Sequence, residues 1–262
     1  MEPVALGFVF IIGAVMGSFL NVCIHRLPRG ESIVWPRSQC PWCQKGIAWY
    51  DNVPLASVLW LKGKCRSCGG AISPRYAVVE WLTALAFLWM FKTHGFGIGA
   101  VVSVLLFSLL IIASVVDLEH QLIPDEISLG GLGAGLVLSA LVPSLHGKVA
   151  WPDGLAQSAI GALLGGIAIY VTGVLGKLAF RKDAMGGGDV KLLAMLGAFV
   201  GWQKVILIYV AAPVLALPMG LFMKWVKRED LIPFGPFLSM AGWIAFVWGD
   251  AILAWYRTGL NF

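Results

Sequence analysis

Two aspartates at the ends of apolar stretches are the residues best suited to chemistry. Asp189 follows three consecutive glycines, and Asp117 ends a long apolar run. An ionisable residue at the edge of a membrane span is costly to place, so it indicates function. Two carboxyls that share one water cannot both ionise cheaply, so one stays protonated while the other accepts a proton from the water. The pair therefore predicts hydrolysis of a peptide bond, with the ionised group as general base and the neutral group as general acid.

Both aspartates also have structural interpretations. Asp is favoured at helix N-caps, so Asp189 could cap the helix that follows it, and Asp117 could be a solvated residue at a helix end. Asp125 is a rival acidic residue, but it follows Pro124 and is expected to cap the next helix. The glycines at 186–188 permit unusual backbone angles and the close approach of a substrate strand. The residues alone leave these interpretations open.

Four cysteines form two CxxC pairs, Cys40 with Cys43 and Cys65 with Cys68, and 21 residues separate the pairs. Two such knuckles are typical of a zinc site with four thiolate ligands. A closed tetrahedral site has no open position for substrate, so the predicted zinc is structural. Two disulfides or a redox pair are the alternatives, and a reducing compartment disfavours them. Cys23 lies in an apolar run and is predicted to be a buried apolar residue.

The elements that position these residues are predicted to be membrane helices. The chain is 59% hydrophobic and 13% charged, against roughly 25% charged in a typical soluble domain. A bilayer needs about 20 apolar residues per helix. We therefore predict an all-α polytopic membrane protein with about eight transmembrane helices and a small cytoplasmic zinc-binding loop domain. The predicted spans are Val4–Ile24, Tyr76–Phe91, Phe96–Val116, Ile127–Val142, Leu155–Leu178, Val190–Val200, Val205–Met223 and Phe237–Trp255.

The sixth predicted span is too short to cross a bilayer alone. It either runs on through Gly201-Trp202 or begins deeper, at a glycine-rich turn that enters the membrane. Three pairs of glycines four residues apart are predicted to be contacts between closely packed helices. They are Gly13 with Gly17, Gly131 with Gly135, and Gly161 with Gly165.

Basic residues set the orientation. Fifteen of the 19 lysines and arginines fall on one side of this topology, which the positive-inside rule assigns to the cytoplasm. Asp117 and Asp189 then lie at the cytoplasmic face, and both termini lie outside. The N-terminus has no basic n-region and its first apolar run has spanning length, so no cleavable signal peptide is expected. Topology accounts for the pI of about 9.0. Without a nucleic-acid-reading motif, no nucleic-acid partner is expected.

Six segments in chain order are similar to those of type IV prepilin peptidases, the bifunctional leader peptidases and N-methyltransferases of type IV pili and type II secretion systems. Each segment alone is modest evidence, but six in order are highly specific. The stretch 144–153 is longer than expected for the family and falls on the outer side. The segments are Gly17–Val22 with Arg26–Pro28, the two cysteine pairs, Ser73–Tyr76 with Val79-Glu80, Asp117–Asp125, Met185–Lys191, and Ile232–Phe237.

The resemblance implies a function for these residues. The catalytic aspartates of the family map onto Asp117 and Asp189. The implied enzyme is an aspartic endopeptidase of the bacterial inner membrane. Its implied partners are prepilins or pseudopilins, whose basic leader ends in Gly before an apolar helix, and membrane lipid. The enzyme would then methylate the new N-terminus with S-adenosylmethionine as methyl donor. The sequence leaves the oligomeric state open.

A three-part organisation follows from this resemblance and the topology. Residues 1–24 are the first transmembrane helix, 25–75 a cytoplasmic zinc-binding domain, and 76–262 a transmembrane aspartic peptidase domain. The middle part is too small for a large core, so a metal would stabilise it.

The methyl-donor site is indicated only by Gly63-Lys64, which match a family segment linked to methylation. The alternative is that Gly63 turns the cysteine knuckle and Lys64 is solvated. Glu80 is expected to form a structural pair with Arg75, with contact to a basic leader as the alternative.

Two other functions compete with this interpretation. A presenilin-like intramembrane protease without methylation shares the GxGD logic, but the cysteine loop and the opening motif do not fit it. A proton-coupled transporter would use the acidic residues as a relay, with charges near the bilayer centre and repeated halves. The acidic residues lie at one face here, and the sequence shows no convincing internal repeat.

Overall fold

The described part of the computed structural model, residues 3–181, 185–223 and 233–259, is mainly helical. Two isolated β-bridges lie in residues 38–72, which we call the cysteine segment. The other residues lie outside the described part. They include Ile232 and four of the fifteen basic residues counted above, Lys182, Lys224, Lys227 and Arg228. The α-helices are α1 Pro3–Arg26, α2 Ala56–Leu61, α3 Arg75–His94, α4 Ile98–His120, α5 Asp125–Leu141, α6 Trp151–Phe180, α7 Gly187–Val200, α8 Trp202–Phe222 and α9 Gly235–Gly259. Short 3₁₀ turns cover Leu27–Arg29, Trp49–Asn52 and Pro143–His146.

Each of the eight predicted spans corresponds to one long helix, so the all-α architecture is confirmed. Among the described residues, five helices are long and apolar enough to cross a membrane: α1, α4, α6, α8 and α9. The helices α5 and α7 have 17 and 14 residues, fewer than the roughly 20 that a bilayer requires. The number of helices that cross the membrane therefore stays a prediction.

Helix α7 does not continue through Gly201-Trp202, so that alternative is wrong. The helix ends at Val200, and Gly201 caps it with φ of 80°, a positive value that favours glycine. Glycines 187 and 188 form the first turn of the helix, and Gly186 has an ordinary extended backbone with φ of −76°. Residues 186–188 therefore do not use the unusual backbone angles that glycine permits.

The chain divides into two compact units, Met1–Ile112 and Ala113–Phe262. In the first unit, α1 and α3 run antiparallel in close contact. A Cβ added to Gly13 would lie 2.8 Å from the Ala84 backbone, and one added to Gly17 would lie 2.7 Å from the Glu80 backbone. These two glycines therefore make the predicted helix-packing contact.

In the second unit, α7 is the central helix. It contacts α5, α6, α8 and α9, and all residues from Met195 to Val200 are buried. Glycines let its neighbours approach closely: a Cβ on Gly165 would lie 2.5 Å from the Leu193 carbonyl oxygen, and one on Gly135 would lie 2.9 Å from the Ala198 Cβ. This packing fixes the position of the α7 N-terminus, which carries Asp189.

Candidate active site and cysteine cluster

Asp117 lies in the last turn of α4 and is buried. Its residue is 6% exposed, and Oδ2 accepts a hydrogen bond of 2.8 Å from the backbone N–H of Gly235, the first residue of α9. The positive end of a helix dipole stabilises an anion in this position. The interpretation of Asp117 as a solvated residue at a helix end is therefore wrong.

Gly235 is a site residue whose role the sequence did not reveal. A Cβ at this position would lie 2.8 Å from Asp117 Oδ2 and 3.1 Å from the Asp117 Cβ, so a side chain here would displace the carboxylate. The sequence feature that could have indicated Gly235 was the segment Ile232–Phe237, which is similar to a segment of the family but contains no catalytic side chain. A glycine whose function is space rather than chemistry cannot be identified from residue type.

Asp189 is the third residue of α7 and is partly exposed. Its Oδ2 accepts a hydrogen bond of 3.3 Å from the backbone N–H of Gly186, which is the N-cap residue. This is the acidic half of a capping box. Asp189 therefore caps its own helix from within the first turn, rather than from the predicted N-cap position.

The segments that carry the two aspartates are in direct contact. A Cβ on Gly188 would lie 3.1 Å from the Cβ of Ile123, which is buried. The ammonium of Lys191 donates a hydrogen bond of 2.6 Å to Asp125 Oδ1. The structure thus brings together the two acidic residues that the sequence singled out.

Asp125 does not belong to this pair. It is exposed and forms a salt bridge with Lys191. It also does not cap α5 as predicted, because Pro124 is the N-cap residue and makes no side-chain capping bond. Asp125 is the first residue of the helix, where its charge favours the helix dipole.

The four cysteines of the two CxxC pairs form one cluster. Their sulfur atoms all lie within 4.8 Å of one another, and Cys40 Sγ is 3.8 Å from Cys68 Sγ. Tetrahedral zinc with Zn–S bonds of about 2.3 Å has S···S separations of about 3.8 Å. The cluster fits that ion. Cys23 is buried in α1, as expected.

The two cysteine knuckles have the same backbone geometry. Gln44 N–H donates to the Cys40 carbonyl, and Gly69 N–H donates to the Cys65 carbonyl, each at 2.9 Å. Both donors have positive φ, 55° and 70°. Backbone hydrogen bonding from Cys43 lowers the pKa of the Cys40 thiol to about 7. Despite a backbone hydrogen bond from Gly70, burial and the neighbouring cysteines raise the pKa of Cys68 to about 11, so a metal would have to displace the Cys68 proton.

Trp42 links the first knuckle to the second. Its indole Nε1–H donates a hydrogen bond of 2.9 Å to the Ala71 carbonyl, and a Cβ on Gly70 would lie 2.5 Å from the Trp42 ring. The two halves of the cluster are thus packed together by side chains as well as by their shared ligand set.

Gly63 and Lys64 lead into the second knuckle. Gly63 has φ of 67°, and its carbonyl accepts a hydrogen bond of 2.7 Å from Ile72 N–H. Lys64 is exposed. These features are compatible with the structural alternative, and the donor-site prediction stays a prediction, since Lys64 is also accessible to a soluble ligand. Glu80 is buried, and its Oε2 accepts a hydrogen bond of 2.8 Å from Leu55 N–H, a partner that the sequence did not indicate.

Sequence comparisons relate both units to known proteins. Residues 11–94 match the profile of the bacterial Peptidase A24 N-terminal domain, and residues 104–221 match that of the type IV leader peptidase family. The chain is 37% identical to a prepilin leader peptidase/N-methyltransferase of Aeromonas hydrophila, over 95% of this chain and 93% of the relative. It is 36% identical to the protein of that name in Pseudomonas aeruginosa, over 96% and 92%. No solved structure matches significantly.

Proposed function

Because the chain belongs to the type IV leader peptidase family, we propose that it removes the leader peptides of prepilins or pseudopilins and methylates the new N-terminus. The observation that carries the peptidase assignment is the aspartate pair. Asp117 is buried against the N-terminus of α9, and Asp189 lies in the first turn of α7, where the neighbouring Gly188 packs against Ile123 of the segment that follows Asp117. The matches do not support the presenilin-like protease or the transporter.

The proposed mechanism uses one water molecule and the two carboxyl groups. The ionised carboxylate accepts a proton as the water attacks the scissile carbonyl, and the neutral carboxyl polarises that carbonyl. The neutral group then protonates the leaving nitrogen. A coupled pair of this kind titrates as a unit, so the two roles belong to the pair. The Gly235 N–H orients the Asp117 carboxylate through its 2.8 Å hydrogen bond.

The proposed location of the reaction is the cytoplasmic edge of the inner membrane. The distribution of lysine and arginine supports this orientation, with Asp117 at the end of α4 and Asp189 at the start of α7. A prepilin has its basic leader in the cytoplasm and its apolar helix in the membrane. The junction between them would therefore reach the two carboxyls directly.

The proposed methyl transfer belongs to the cysteine segment. Cys40, Cys43, Cys65 and Cys68 would hold a structural zinc that fixes the fold of residues 25–75. S-adenosylmethionine supplies the methyl group when it is bound. Lys64 is exposed beside Cys65, and we assign it together with Gly63 to the donor site.

Cleavage of a model prepilin in proteoliposomes tests the peptidase assignment. Asp117→Asn and Asp189→Asn keep the side-chain shape and remove the acid. Each is expected to lower the cleavage rate by about 10²-fold or more. The matched control is Asp153→Asn, the same change at an exposed residue in the first turn of α6. Wild-type rates in both folded active-site variants would refute the mechanism.

A further inference from the structure

Four large side chains of the cysteine segment are exposed on one short stretch, the aromatic segment (residues 49–61). Trp49 is 82% exposed, Leu59 79% and Trp60 51%, and Tyr50 is exposed as well. The stretch comprises the 3₁₀ turn Trp49–Asn52 and helix α2, which contact each other, and residues 53–55, which join them. A cluster of exposed aromatic and aliphatic side chains marks a site of interaction with a protein or a membrane.

The aromatic segment is held in a fixed arrangement. Arg66 donates two hydrogen bonds to Asp51, of 2.6 and 2.7 Å, and its guanidinium lies 5.6 Å from the centre of the Tyr50 ring. The Trp49 and Tyr50 rings are in edge contact at 5.7 Å. Since Arg66 belongs to the second cysteine knuckle, the knuckle holds these aromatic side chains at the surface.

A hydrogen bond connects the aromatic segment to a residue that packs against the candidate membrane span α1. Leu55, in its middle, donates to Glu80, which packs against Gly17 of α1. Gly17 lies nine residues before the end of α1 at Arg26, about 13 Å along the helix axis. The apolar run of α1 is a candidate membrane span. Leu55 has a φ of 62°.

The charge of the surrounding chain complements an anionic surface. Tryptophan and tyrosine are enriched at membrane interfaces, and nearby basic residues are attracted to an anionic leaflet. A prepilin leader is itself basic, so this segment would repel it. Between residues 27 and 74 the basic residues are Arg29, Arg37, Lys45, Lys62, Lys64 and Arg66, and the acidic residues are Glu31 and Asp51.

We propose that the aromatic segment is a lipid-binding surface that inserts into the interface of an anionic membrane. Trp49, Tyr50, Leu59 and Trp60 lie at the boundary between headgroups and acyl chains. The flanking lysines contact lipid phosphates. This surface shares no residue with the aspartate pair. Its proposed role does not depend on which face of the membrane the segment occupies.

Photo-crosslinking of the full chain in nanodiscs tests this proposal. p-Benzoylphenylalanine replaces Trp49, Leu59 or Trp60 in turn, with exposed Ser67 of the second knuckle as the control position. We expect lipid adducts at the three test positions to exceed those at position 67 several-fold. Adding phosphatidylglycerol to phosphatidylcholine discs should raise the yield, and Lys45→Gln with Lys62→Gln should abolish that increase. Zinc content reports whether each variant keeps its cysteine cluster.

Three results would overturn the proposal: equal lipid adducts at the test and control positions, no adducts at all, or adducts to an added prepilin in place of lipid. Hydrogen exchange on the unmodified chain gives a second measure that needs no substitution. Amides of residues 49–61 should exchange several-fold more slowly in anionic than in zwitterionic discs, while residues 65–70 stay unchanged. Equal exchange of residues 49–61 in both discs would contradict the role of the lipid charge.

Discussion

The cysteine cluster and the aspartate pair are built in opposite ways. All four sulfur ligands come from residues 40–68, and each knuckle is closed by its own backbone hydrogen bonds. The aspartate pair is assembled from distant parts of the chain: Asp117 and its hydrogen-bond partner Gly235 are 118 residues apart. A site built from local turns depends on its ligand for stability, whereas a site built from packed helices depends on the fit between them.

The largest expected effect is the loss of metal from the local site. Structural zinc contributes about 10–16 kcal/mol of apparent binding free energy in small zinc domains. Cys65→Ser should therefore remove the bound zinc, expose the amides of residues 38–72 to exchange and stop methylation. Cleavage should fall no more than several-fold, since the aspartate pair shares no residue with the cluster. Metal analysis and separate assays of the two activities measure this.

Cys23→Ala is the control for the metal experiment, because Cys23 is buried in α1 outside the cluster. It should retain zinc and both activities. If Cys65→Ser kept its zinc, the four-thiolate assignment would be wrong. If it lost cleavage as completely as Asp189→Asn does, the two sites could not be regarded as independent.

The second prediction tests how the assembled site depends on fit. Gly235→Ala introduces a Cβ 2.8 Å from Asp117 Oδ2. A displacement of about 1 Å at a reacting group can cost about 10²-fold in rate, and we expect a loss of that size in cleavage with zinc content unchanged. Gly133→Ala, in the middle of α5, is the matched control, because a Cβ there meets no atom within 4 Å. Equal rates in the two variants would contradict the role assigned to Gly235.

The same contrast explains what the sequence could and could not predict. The cysteine cluster was predictable because ligand type and spacing lie within one stretch, and the helices because apolar runs of the required length are visible. The end of α7 at Val200 was not predictable from the sequence, since the apolar pattern continues past Gly201. Gly235, the pairing of Leu55 with Glu80, and that of Lys191 with Asp125 depend on tertiary packing, which no local pattern encodes.

The third prediction concerns acid stability in the second unit. His146, in the turn between α5 and α6, accepts or donates a 2.8 Å hydrogen bond with Ser139. Burial, and then the charge of Lys204, lowers the pKa of His146 to about 4. The unfolded histidine has a pKa near 6.5, so the stabilising contribution is complete above that pH and is lost as the pH falls towards 4.

After allowance for solvent screening, this difference corresponds to roughly 2 kcal/mol. Thermal unfolding in detergent at pH 7.5 and 5 should show a larger acid destabilisation for wild type than for His146→Gln. If wild type and His146→Gln lost the same thermal stability between pH 7.5 and 5, His146 would be accessible to protons in the folded state. Residues 38–72 around the cysteine cluster, which contain no histidine, should not contribute to this difference.

The smallest effect is expected for the ion pair that joins the two aspartate segments. Lys191 and Asp125 are 2.6 Å apart, and both are partly exposed. Pairs of this kind contribute about 0–1 kcal/mol. Lys191→Gln and Asp125→Asn should each lower cleavage only several-fold, and the double variant should be no worse than the single ones. A double-mutant cycle on cleavage rates measures this coupling. If Lys191→Gln alone abolished cleavage, Lys191 would act on the substrate or the reacting water, and the assembled site would include a third charged group.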